Sequence, residues 1–330
     1  MPDPTHPSRR AVLAGAAATL ATPMLARRAA AAAPLSFQLD WKANAQFAGL
    51  YQAAADGLFP AEMDIRPWAD GVNVVDAVAA GTAQFACAEQ NLILAAQAEG
   101  APIKAVATMF QASPYGLMAP AGTPLASLAD LSGRRVGVHV DGVKVMALVQ
   151  GVNGVDDIEV AEIPYADKFD RAASGEFHAV QCYVIDEPIG VAARVGAAPE
   201  VIKLSDHGFV STAQTIVVHD DTLAADRGMV ADVLAATFEG WARVLADKPA
   251  AAALVVERFV PEGSPYEDVA YQTRTLELLE PYVVPAGDGP IGAIDPEQWR
   301  AAARLMAEYG IVDALPDLDA TLDTGLWPAS

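Results

Sequence analysis

Tyr183 and Glu187 stand four residues apart at the end of an apolar run, a spacing that sets both on one side of the chain whether the segment is extended or helical. An aromatic face stacks on a flat ring. A carboxylate beside it can accept paired hydrogen bonds from an exocyclic amine and a protonated ring nitrogen. Trp41, just after the first strand-like run, offers a second flat apolar face. Asn44 both donates and accepts, which suits the edge of a heteroaromatic ring, and its plain alternative is to cap the helix that follows.

Further candidates surround these four. Glu89, with Gln90 and Asn91, follows the third strand-like run, where helix capping is the alternative. Gln111 and Tyr115 stand where one strand ends and the next begins. Asp141, Gly142 and Val143 occupy a strand-to-helix turn between His139 and Lys144, whose free backbone amides would hold a polar or anionic group. No catalytic residue is assigned. The five histidines, His6, His139, His178, His207 and His219, form no i, i+4 pair and have no carboxylate or cysteine at ligand spacing, so neither a metal nor a cofactor is expected. Cys87 and Cys182 each sit inside an apolar run, as two buried thiols would; an oxidising compartment permits a disulfide between them, and their spacing does not signal one.

The elements that must carry these groups alternate. Residues 35–39 read as a strand, 44–56 as a helix closed by Gly57, 64–67 as a strand, 72–80 as a helix and 84–88 as a strand. Helix 90–100 and strand 103–110 follow. Strands alternating with helices through short loops imply right-handed crossovers and a mostly parallel sheet, with a ligand site at the carboxyl ends of the strands. Residues 115–120 form a strand that leaves this first series. A second series runs through the strand at Arg135 to Val140, and the chain returns at residues 215–218. The two crossings, at 115–120 and 212–218, are expected to act as a paired hinge of extended strands. Beyond Asp221 the pattern is helical, with Val230, Val233, Leu234, Phe238, Trp241, Val244 and Leu245 on one stripe. Asp295, Pro296 and Gln298 open a later helix.

Ser8-Arg9-Arg10-Ala11-Val12-Leu13 opens an apolar stretch that ends at Arg27-Arg28 and a run of alanines, and it resembles a twin-arginine export signal. No cysteine lies near the cleavage region, so residues 1–33 are expected to be removed, leaving a soluble periplasmic protein without a lipid anchor. The whole chain has a formal net charge of −21, and removing four arginines and one aspartate takes the remainder to about −24. Such acidity argues against nucleic acid or anionic membranes as partners.

Four groups of residues point to a known family. Leu39-Asp40-Trp41-Lys42-Ala43-Asn44, Gly57-Leu58-Phe59 and Gly81-Thr82-Ala83-Gln84-Phe85 resemble the family that joins thiamine-precursor pyrimidine binders with a pyrimidine synthase. Leu128-Ala129-Asp130-Leu131-Ser132-Gly133-Arg134-Arg135-Val136-Gly137-Val138 is similar to the second-lobe entry of these type II periplasmic binding proteins. The resemblance implies an α/β fold of two lobes with a ligand cleft between them. Lobe I would be residues 34–117 with 215–330, and lobe II residues 118–214. It also implies a substrate-binding component of an ABC importer, a monomer that closes on a small heteroaromatic ligand and presents it to a membrane permease, with Trp41, Asn44, Tyr183 and Glu187 at the ligand. Binders of sulfonate, taurine and nitrate share the wider superfamily, so a small anion is the alternative ligand. The synthase branch is implied to need a lysine and a histidine beyond the third strand and a cysteine-rich run. Here those places hold Ala88, Leu92 and the cysteine-free segment 208–214, so no enzyme is expected.

Overall fold

Three of the ten strands are short runs buried along their whole length, and these set the architecture. The computed structural model describes residues 34–164, 170–171 and 174–328, so the export-signal segment lies outside the described residues. The strands are β1 (Leu35–Gln38), β2 (Met63–Arg66), β3 (Phe85–Ala88), β4 (Ile103–Phe110), β5 (Tyr115–Ala119), β6 (Arg135–Val138), β7 (Glu159–Glu162), β8 (Ala179–Tyr183), β9 (Glu200–Lys203) and β10 (Ala213–His219). They form two five-stranded sheets, ordered β2-β1-β3-β10-β4 and β7-β6-β8-β5-β9.

Central strands β1, β3 and β5 are buried at every position, as strands covered on both faces must be. Edge strand β2 alternates between half-buried and exposed residues, with Asp64 and Arg66 turned outward, which blunts an open edge with charge. In each sheet the fourth strand runs against its neighbours. β10 is antiparallel to β3 and β4, and β5 is antiparallel to β8 and β9, while the remaining pairs are parallel. Each sheet is thus mostly parallel, as expected, with one reversed strand where the crossing segment enters its sheet from the opposite end.

The helices between the strands of the first sheet are α1 (Ala48–Ala55), α2 (Val74–Ala79) and α3 (Gln90–Ala98). In the second sheet, α4 (Val140–Asn153) joins β6 to β7, and helix Glu187–Val195 joins β8 to β9. Helix Arg227–Ala246 buries the expected stripe through Val230, Val233, Leu234, Phe238, Trp241 and Val244, with Leu245 half-buried. It packs on α1 so closely that a Cβ at Gly240 would fall 2.1 Å from the Gly49 carbonyl. Only glycine permits that approach. The late helix Pro296–Glu308 starts where expected, with the Asp295 carboxylate accepting from the Glu297 and Gln298 amides.

The crossings differ from the expectation. β5 pairs with β8 from Tyr115 opposite Tyr183 onward, and β10 pairs with β4 from Ala213 onward. Strand membership thus puts residues 115–117 with the second sheet and Ala213 and Gln214 with the first. The segments that pass between the sheets are the short stretches 111–114 and 204–212, and the Ser113 amide donates to the Ser211 carbonyl at 2.7 Å, tying the two together. Extended sequence alone could not separate a crossing strand from one paired in its own sheet. Cys87 lies in β3 and Cys182 in β8, both buried and in different sheets. No helix among the described residues is long and apolar enough to cross a membrane.

Candidate functional site

A cavity of about 830 Å³ opens between the two sheets, within the range of small-molecule sites. Trp41 and Trp68 line it from the first sheet, and Tyr115 and Tyr183 from the second. Trp41 lies just beyond Gln38, the last residue of β1, so its position is set by the end of a fully buried strand. Its indole stacks on that of Trp68, with centroids 5.6 Å apart and planes 18° from parallel. Its Nε1 donates to the Tyr266 hydroxyl at 2.8 Å. Tyr266 in turn donates to Asp186, which also receives Gln46 Nε2 at 2.8 Å and the Tyr271 hydroxyl. Asp186 is buried immediately before helix Glu187–Val195. A buried carboxylate with several donors is satisfied and stiff, so Trp41 is oriented by a chain of groups that spans both sheet units.

Tyr183 and Glu187 both line the cavity, and their four-residue spacing is used in an unanticipated way. The Glu187 carboxylate accepts the backbone amide of Tyr183 at 2.6 Å, which fixes the bend between β8 and the helix after it. The Tyr183 hydroxyl donates to Glu89, and its ring lies 5.2 Å from that of Tyr115 at 60°. The Tyr115 hydroxyl donates to Asp141, so both tyrosines end on carboxylates.

Glu89 and Asn44 resolve in opposite directions. Asn44 is buried and its side chain accepts the Gln46 amide at 2.7 Å. It caps its helix and is not part of the cavity wall, because its short side chain reaches only its own backbone. Glu89 precedes α3 but makes no capping bond. Its carboxyl turns to the cavity, where Oε1 accepts from Tyr183 and from Ser113 Oγ at 3.3 Å.

Two further expectations are corrected. Residues 139–144 are no loop: β6 ends at Val138 and α4 begins at Val140. The His139 amide donates to Gln181 Oε1 at 3.0 Å and the Gly142 amide to the His139 carbonyl at 2.9 Å, so neither is left for an anion. A Cβ at Gly142 would lie 1.9 Å from Gln181 Oε1, which makes this glycine a packing requirement. Asp141 lines the cavity, whereas Gly142 and Val143 do not. Gln111 also lies away from it, its amide donating to the Tyr282 carbonyl at 2.6 Å, because the chain turns at the end of β4 toward helix Val269–Val283.

Sequence reasoning missed Asp40 and Trp68. Asp40 lines the cavity beside Trp41, and burial pushes its carboxyl up to about 7 against the opposing influence of Gln214 and Cys87. Burial pushes Glu89 well up too, and the Asp40 and Asp141 charges add to that rise. A carboxylate just beyond a fully buried strand was the available signal, since burial of that strand's end leaves the residues after it at the rim of a cleft.

Comparison with known proteins places the chain. Residues 44–252 match the family described as NMT1/THI5 like. The chain belongs to the NMT1/THI5-like family. It is 26% identical over 302 residues to the riboflavin-binding protein RibY of Chloroflexus aurantiacus, covering 86% of this chain and 83% of that protein. It is 28% identical over 156 residues to a 4-amino-5-hydroxymethyl-2-methylpyrimidine phosphate synthase of Legionella pneumophila, covering 46% of this chain and 47% of the other. Among solved structures, the periplasmic aliphatic sulphonate binding protein SsuA of Escherichia coli superposes with a TM-score of 0.67 at 16% identity, covering 88% of this chain and 92% of that one. This member of the NMT1/THI5-like family therefore has the type II periplasmic binding protein fold, as its motifs implied.

Proposed function

We propose that this protein is the periplasmic substrate-binding component of an ABC importer, and that its ligand is a small planar nitrogen heteroaromatic, a thiamine-precursor pyrimidine or a related ring. The composition of the cavity wall carries this reading. Asp40, Asp70, Asp76, Glu89, Glu99, Asp141 and Glu187 line it together with the four aromatic rings, against Lys144 as the one lysine or arginine among the described lining residues. Lys144 itself donates to the Ile311 carbonyl at 3.1 Å and lies 3.5 Å from Asp313. A sulfonate or nitrate would meet repulsion from most of these carboxylates. A flat ring bearing donors meets aromatic faces and acceptors.

The ligand would be held between Trp41 and Tyr183 as two lobes close over it, one built on each sheet, with the segments at 111–114 and 204–212 as the hinge. Glu187 and the other carboxylates would select its polar edge. Micromolar affinity requires about −8 kcal/mol, which stacking, paired hydrogen bonds and expelled water supply against the cost of closure. Closure would present a surface to the permease and couple occupancy to transport. A soluble monomer exported through residues 1–33 fits this role. The relatives support a ring ligand, since one is a riboflavin-binding protein and another acts in making a pyrimidine. A binder rather than an enzyme is favoured because Ala88 and Leu92 stand where the synthase chemistry is implied to need an amine and an imidazole.

Thermal-shift and calorimetric titration against 4-amino-5-hydroxymethyl-2-methylpyrimidine, its formylamino analogue, riboflavin, thiamine, taurine and nitrate tests the proposal. Stabilisation by one of the ring compounds is expected. Stabilisation by the anions alone would overturn the ring assignment, and turnover of any ligand would overturn the binding role.

A further inference from the structure

Beneath the aromatic walls the cavity carries buried oxygens that have no partner among the described residues. Glu89 Oε2, Asn91 Oδ1 and Gln46 Oε1 are buried without a hydrogen-bond partner among the described residues, and all three side chains line the cavity. Glu89, Asn91 and Gln46 are 3%, 4% and 1% exposed. Gln46 is oriented by its own donation to Asp186, so its free atom is the carbonyl oxygen and not the amide nitrogen. Buried acceptors of this kind require donors, and in a binding cavity the ligand is the group able to bring them.

We infer that Asp40 and Glu89 are the acceptors that read the donor edge of the ligand, and that capture of a donor-bearing ring expels a proton from this carboxyl pair. The inference rests on the ring-binding reading above and assigns the selecting groups within it. Geometry supports it from every side. Asp40 follows β1, and Cys87 of β3 lies 3.7 Å from its Oδ1. Glu89, just beyond β3, receives Tyr183 from β8 and Ser113 from the crossing segment. From α4 the cavity is faced by Asp141 and Lys144, and by His139 just before it, with Tyr115 of β5 bonded to Asp141. Glu187 faces it from the helix after β8, and Asp70, Asp76 and Glu99 lie farther along the first-sheet wall.

Glu89 is buried and Asp40 half-buried on the same cavity wall, and two carboxyls in so acidic a place cannot both ionise freely near neutrality. A protonated carboxyl is a poor acceptor for a ring amine or imide, and an ionised one is a strong acceptor. A ligand that donates therefore favours loss of the proton. Affinity should accordingly rise with pH until the carboxyls of the ligand-free protein are ionised, and then level off. An anionic ligand would show the reverse, binding more tightly as the pair is protonated.

Calorimetry with riboflavin and with 4-amino-5-hydroxymethyl-2-methylpyrimidine, from about pH 5.5 to 8.5 in phosphate and in Tris, tests this. Riboflavin does not itself titrate in that range. Its affinity, or the pyrimidine's after correction for the pyrimidine's own protonation, should climb roughly 10- to 30-fold between about pH 5.5 and 7.5, with binding heats that depend on the buffer as proton release requires. Asp40→Asn and Glu89→Gln should each weaken binding roughly tenfold or more at high pH and flatten the profile, with circular dichroism showing both variants folded. Binding of either ring with a flat profile and no buffer dependence, or with both variants at wild-type affinity, overturns the inference and leaves the ring-binding reading standing. Binding of taurine or nitrate alone overturns both. A carbon-13 titration of the carboxyls in the ligand-free protein provides a check independent of any ligand. A carboxyl that keeps its proton toward neutrality and vanishes in Asp40→Asn is expected, and all carboxyls titrating near 4 would contradict the pair.

Discussion

Replacing Asp40 by asparagine should stabilise the ligand-free protein, and by an amount that grows with pH. The Asp40 carboxyl stands at about 7 in the folded protein, against 3.8 as its ordinary value, because burial penalises its charge. The folded state thus holds a proton that the unfolded chain gives up earlier as pH rises. Stability from this group is complete below about pH 4 and is lost progressively as pH climbs through 7. A shift of that size corresponds to about 4 kcal/mol at 1.36 kcal/mol per pKa unit, and relaxation of the cavity and solvent entry would reduce it. Asparagine cannot ionise, so the variant avoids the loss. Its exchanged contacts with Gln214 and Cys87 add an offset independent of pH. Urea unfolding of both proteins at about pH 5, 6, 7 and 8 separates these effects, since only ionisation changes the difference between them. The reasoning predicts a variant advantage that widens by up to about 3 kcal/mol from pH 5 to 8. A difference that stays constant with pH, or narrows, would refute it.

Other consequences are open to direct measurement. Trp41→Ala should weaken a ring ligand by about 2 kcal/mol or more through loss of its stacking face, and Tyr266→Phe should produce a smaller loss by releasing the indole; titration calorimetry reads both. Glu187→Gln should weaken an aminopyrimidine by about 1 to 3 kcal/mol, and unchanged affinity would remove Glu187 from ligand selection. Gly142→Ala must displace Gln181 Oε1, 1.9 Å from the new Cβ, so chemical denaturation should show a loss of about 1 to 3 kcal/mol. Lys144→Ala should leave ring affinity within about twofold, since its ammonium is engaged with Asp313 and Ile311 on a surface pair of small energetic weight.

Much of the molecule was legible before any coordinates. The alternation of strands and helices and the return of the chain near residue 215 follow from local pattern and chain order, and the meeting of Trp41 with Tyr183 in one cavity agrees with what the family resemblance implied. What stayed hidden depends on long-range partners. Trp41 is oriented through Tyr266, 225 positions away, and through Asp186 beyond it. Nothing local marks such a chain of bonds. Asn44 and Glu89 looked alike as polar residues preceding helices, yet one caps and the other faces the cavity. Side-chain length and the partners across the gap decided that. The 139–144 segment resembled a glycine turn because Gly142 reads as flexibility, whereas its need is close contact with Gln181.

The most direct test is the identity of whatever the protein carries when purified under non-denaturing conditions from a host that makes it, released by heat and read by mass spectrometry. The account predicts a ring bearing an amino or imide group, bound in about equimolar amount and lost from Trp41→Ala. Recovery of a sulfonate or another ring-free anion in that amount, equally retained by Trp41→Ala, would contradict it.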